Sequence, residues 1–213
     1  MKVIYTYNKD KDVWCLLNKG KRSNNSSQAT EVYKQLVEVY GNRPTKNETS
    51  SFIDDYFLKN RINPREIAEK YQKDWDLISD EFQKRAEEIF NISLPHDIIS
   101  YLTINQRSPY NIKNNFYYVS LHASSARMVA MHELWHFYTW YGLGTDQEEE
   151  LGKQKYNDLK ESLTVLLNLE CKDLFPGDVM DKGYPQHKEL RDKILEFWSK
   201  DRNIFNLWEF LKN

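Results

Sequence analysis

Cysteine is scarce in this chain: Cys15 and Cys171 are its two cysteines in 213 residues. That excludes a disulfide framework, and a reducing compartment is the simpler expectation. An excess of charge of either sign is also missing. The net charge is −2 and the isoelectric point is near 6.2, so there is no global basic field to attract nucleic acid or an anionic membrane. No apolar run approaches the length of a membrane span. The N-terminus, MKVIYTYNKDKD, lacks the apolar stretch of a secretory signal. No internal repeat or low-complexity block interrupts the chain. These absences predict a soluble, cytoplasmic protein with no nucleic-acid or membrane partner.

What is present predicts a globule. Hydrophobic residues make up 40% and charged residues 29%, a balance that folds. KVIYTY and DVWCLL read as two short strands, and NKGKRSNNSSQ as a loop. SQATEVYKQLVEVYG and NETSSFIDDYFLKN have helical spacing. Residues 1–62 are thus expected to be a scaffold of strands and short helices, and 63–213 a second, larger domain. Asn63 and Pro64 start the clearest helix. Ile67, Tyr71, Trp75, Ile78, Phe82, Ala86 and Ile89 run down it as one apolar stripe, predicting a single long packing helix. HDIISYLTI and NFYYVSLH are strand-like, separated by a loop. A helix is expected over 124–141, ended by Gly142 and Gly144. TDQEEELGKQ reads as an acidic loop. NDLKESLTVLLNLE, HKELRDKILEFWSK and NIFNLWEFLK read as further helices. The expected class is α+β and mainly helical.

One stretch carries chemistry: MVAMHELWHFYTW, residues 128–140. His132 and His136 are four apart, so on a helix both imidazoles project from one face, as two corners of a zinc tetrahedron require. Glu133 lies about 100° round the helix, placed to touch a water rather than to complete the ligand pair. The surrounding Met, Val, Leu, Trp, Phe and Tyr make the helix apolar nearly all round, and therefore buried. Two histidines stacked on a buried helix need a shared partner, since burying unpaired polar groups is costly. A metal supplies one.

Zinc needs at least one more protein ligand. Gly142 stands where an extended pattern would put a third histidine, which rules out that pattern. The candidate carboxylates are Asp146, Glu148, Glu149, Glu150 and Glu161. Glu161 is preferred because its helix is otherwise apolar: Glu161, Thr164 and Asn168 form one polar stripe on it, and a buried carboxylate there needs a cation. Asp146 stays open as the alternative, since GLGTD turns the chain sharply just after the metal helix.

The set His132, Glu133, His136 and Glu161 resembles that of the gluzincin metallopeptidases. The order of a backing helix, strands and then a metal helix is similar to the zincin fold, here with a small mixed sheet and a helical C-terminal subdomain. The layout over residues 63–170 is closest to the ImmA/IrrE-type enzymes. Trp135 replaces the small residue usual before the second histidine. The resemblance implies zinc held by His132, His136 and Glu161, with Glu133 as general base, acting on a polypeptide substrate. It implies a further donor downstream of the third ligand, for which Tyr184 and His187 in GYPQHKEL are the candidates. It also implies an edge strand at Phe116–Ser120 that would hold substrate by strand addition; an ordinary buried strand suits the same residues. The competing function is a zincin-fold regulatory or interaction module that holds zinc and cleaves little. Glu133 separates the two, because a structural zinc site has no use for a base beside the ion.

Overall fold

The computed structural model describes residues 1–21 and 29–213. Residues 22–28, most of the expected loop NKGKRSNNSSQ, lie outside the described residues. The elements follow in order: β1 (Val3–Tyr7), α1 (Lys9–Lys19), α2 (Glu31–Tyr40), α3 (Lys46–Asn60), α4 (Pro64–Asp76), α5 (Ser79–Phe90), β2 (Ile98–Thr103), β3 (Tyr110–Asn111), β4 (Phe116–Ser120), α6 (Ala126–Leu143), α7 (Gln147–Leu151), α8 (Lys153–Leu163), α9 (Leu167–Glu170), α10 (Lys188–Trp198) and α11 (Ile204–Lys212). The class is α+β and mainly helical. Among the described residues, no helix is long and apolar enough to cross a membrane.

Two expectations about the segments before β2 fail. DVWCLL is helix, not strand, and lies within α1. Asn8 caps that helix by accepting from the Lys11 amide, and Asp10 and Asp12 sit in its first turn, where carboxylates oppose the helix dipole favourably. The long helix after Asn63 is two helices. The chain breaks at Leu77 and Ile78, and Ile78 (φ −127°, ψ −10°) stands before a new acidic first turn at Asp80 and Glu81. The apolar stripe steps across the break without a gap, since Trp75, Ile78 and Phe82 are all buried, so periodicity alone does not reveal it.

The chain divides into two compact units, one of residues 1–75 and 96–129 and another of 76–95 and 130–213. The boundary expected after residue 62 falls inside the first unit. That unit holds the sheet, in order β1-β2-β4-β3, with β1/β2 and β2/β4 parallel and β3/β4 antiparallel. β4 is therefore an inner strand. Its start pairs with β3 through Phe116 and Tyr117, and the Tyr118 amide donates to the Pro109 carbonyl at 2.8 Å. The expected edge strand for substrate is not an edge: the segment NQRSPYNIKN, read as loop, supplies the short β3 that covers it. Tyr71 of α4 anchors the end of β4 by donating to the Ser120 and Leu121 carbonyls.

The second unit is all helical. Its core is aromatic: Phe90 of α5 lies 5.1 Å from the Trp135 ring and 5.9 Å from that of Tyr138 on α6. Trp135, Phe90 and Tyr138 are fully buried, each contributing on the order of 2 kcal/mol by leaving water. Gly142 lies inside α6 rather than ending it. A Cβ there would stand 3.1 Å from the Phe90 Cβ, so glycine lets α5 and α6 approach. Gly144, with φ of +114°, follows the last residue of α6.

Candidate metal centre

α6 is buried on every side between Met131 and Thr139, apart from His132, which is partly exposed. Trp135, the residue unusual for its position, points into the aromatic core described above. On the face next to it, the two imidazoles meet: His132 Nε2 and His136 Nε2 are 3.1 Å apart. The rings are nearly perpendicular, at 82°. Glu161 of α8 faces both, with Oε2 3.5 Å from His132 Nε2 and Oε1 3.4 Å from His136 Nε2. Ligand atoms of these three side chains all lie within 4.8 Å of one another, and among the described residues they form the one such group of His, Cys, Asp or Glu. Asp146 does not belong to it. That residue is exposed at the start of α7, and the acidic run Glu148–Glu150 is that short helix rather than a loop.

A carboxylate behind His132 sets its orientation. Asp181 Oδ2 accepts from His132 Nδ1 at 2.7 Å, which turns Nε2 toward His136 and Glu161. Asp181 is itself clamped. Arg191 of α10 donates to Asp181 Oδ1 at 3.0 Å and to its carbonyl at 2.7 Å. Asn168 donates to the same carbonyl and accepts from the Asp181 amide, both at 2.8 Å. Thr164 Oγ1 lies 3.0 Å from Asp181 Oδ1. Gly183 closes the clamp: its φ is +59°, and a Cβ would stand 2.4 Å from Arg191 Nη1, so both backbone and space require glycine. The expected polar stripe does not lie on one helix: α8 ends at Leu163, Thr164 stands in the 3-10 turn after it and Asn168 in α9, and these two hold Asp181 rather than the ligand group.

Burial and close charged partners set the protonation of the group. Burial opposes charge on His132, but Asp181 and Glu161 outweigh it and push the imidazole up to about 10. Burial holds His136 down to about 3, with the Lys160 charge adding to the effect, so it is present as the neutral, ligating form. Burial opposes ionisation of Glu161 too, yet His132 and His136 hold its carboxyl well below the usual range. Glu133 differs. Burial pushes it up to about 7, and its Oε2 is buried without a hydrogen-bond partner among the described residues. Such an atom is costly to keep unless something outside the chain meets it. One imidazole held neutral at His136, a second at His132 whose proton an ion would displace, one ionised carboxylate and an orphaned acid beside them fit a bound zinc ion with its water.

Tyr184 and His187 meet each other, with ring centroids 5.6 Å apart. His187 is buried and its Nε2 lies 3.0 Å from Asp158 Oδ1, on α8 one turn before Glu161. Tyr184 is half-exposed. Sequence reasoning missed Asp181, Arg191 and Lys160. The first lies in a turn-rich segment and the second on an amphipathic helix, and neither has a local pattern that marks it. No protein family, no curated protein and no solved structure matches the chain.

Proposed function

We propose that this chain is a zinc-dependent metallopeptidase of the gluzincin type, with a zincin-like arrangement of its metal helix, acting on polypeptides in the cytoplasm. The observation that carries the reading is the convergence of His132 Nε2, His136 Nε2 and Glu161 beside the unpartnered buried oxygen of Glu133. His132, His136 and Glu161 would hold the ion. When bound, zinc supplies Lewis-acid polarisation of the scissile carbonyl and of the attacking water. Glu133 takes the proton of that water and returns it to the leaving amine. Asp181 keeps His132 in the ligating tautomer. His187, buried beside the Glu161 helix, and Tyr184 remain the candidates for the donor to the developing oxyanion. Both cysteines are free and buried, in keeping with a reducing compartment.

Purified protein is expected to carry about one zinc per chain, read by elemental analysis. Chelator-stripped protein should lose cleavage of a fluorogenic peptide library and regain it on addition of zinc. Protein that takes up no zinc, or that cleaves equally well when stripped, refutes the reading. The clamp has its own test. Asp181→Asn keeps the shape but removes the charge on His132, and should weaken zinc binding by roughly 10- to 100-fold with unchanged circular dichroism. Wild-type affinity in that variant would remove Asp181 from the centre.

A further inference from the structure

Lysine is almost never fully buried unless paired, yet Lys160 is 1% exposed. It directly precedes Glu161 on α8, and its ammonium lies 3.0 Å from Glu161 Oε1, the same oxygen that faces His136. Its charge is felt at Glu133 and His136, where it opposes protonation. The two buried cations of the centre have different partners. Arg191 offsets Asp181, which stands behind a ligand. Lys160 offsets Glu161, the one anionic member of the ligand group.

We propose that Lys160 sets the strength of the metal site, by drawing on the negative charge of Glu161 that the ion would otherwise receive in full. This rests on the zinc-metallopeptidase reading. An uncharged side chain of similar length, such as methionine, would fill the same space without the desolvation cost of an ammonium group. The charge has two effects on a bound divalent ion: it is repelled, so it is held less tightly, and it is less neutralised, so it remains a stronger electrophile. A lysine that only orients Glu161 would do the opposite to affinity, because its removal would loosen a ligand.

The sign of the change therefore decides. Zinc affinity of the full chain is measured by competition with a chromophoric chelator, for wild type, Lys160→Met and Lys160→Arg. Lys160→Met is expected to bind zinc roughly tenfold tighter or more, and Lys160→Arg to stay near wild type. Unchanged or weakened affinity in Lys160→Met overturns the proposal. Thermal unfolding of the stripped proteins checks the fold; if the methionine variant does not fold, Lys160→Gln carries the same expectation. A wild-type chain that binds no zinc defeats the metallopeptidase reading itself, whereas zinc binding indifferent to Lys160→Met defeats only the role given to the lysine.

Discussion

Glu133→Gln protein will keep its zinc and lose peptide hydrolysis, by a factor of about 10² to 10⁴. Glutamine has the volume of glutamate, so the buried position is not opened. None of the three proposed ligands is touched, so metal content measured on the purified variant should match wild type. What disappears is the acceptor for the proton of the attacking water. The carboxylate oxygen that has no partner within the described chain is the one the reaction would use, and an amide in its place has no comparable basicity. Because a buried carboxylate is being replaced by a neutral group, thermal stability should hold or rise slightly. Cleavage of the peptide library at the wild-type rate, with zinc retained, would refute the catalytic reading and leave a zinc-holding interaction module in its place.

Glu161→Gln has two expected effects, and they can be separated. Zinc affinity should fall by about 10² or more, since the only anionic member of the ligand group is gone. Stability of the stripped protein should also fall, by about 3 kcal/mol, because the buried Lys160 ammonium loses the carboxylate oxygen 3.0 Å from it. Glu161 is itself partly open to water, its side chain being 17% exposed, which keeps this figure at the low end for a broken buried pair. Adding Lys160→Met to Glu161→Gln should restore the thermal midpoint and leave zinc binding lost. If Glu161→Gln binds zinc as wild type does, the third ligand lies elsewhere.

The convergence of His132, His136 and Glu161 was legible from short stretches of sequence. His132 and His136 share a helix face by spacing alone, and Glu161 stands out as an acid next to the apolar run LTVLLNL, although α8 itself is polar and ends at Leu163. Asp181 was not legible: it meets His132 across 49 positions, from a stretch of turns in which an aspartate ordinarily faces water. Lys160 was hidden for a related reason, since a lysine on a helix reads as surface until the packing around it is known. The misread strand in α1 and the missed break at Ile78 show the limits of periodicity. Val13, Cys15 and Leu16 suit either a strand or one side of a helix, and Asn8 and its acidic first turn decide it only once the backbone is helical. The inner position of β4 depended on a two-residue partner too short to register as a strand.

The aromatic rings behind α6 have a consequence for how the protein would live in a cell. The helix that carries His132 and His136 packs through Trp135 and Tyr138 against Phe82 and Phe90, a grip that owes nothing to an ion. Scavenging of zinc would therefore silence such an enzyme without sending it to the degradation machinery, and resupply would wake the same molecules with no new synthesis.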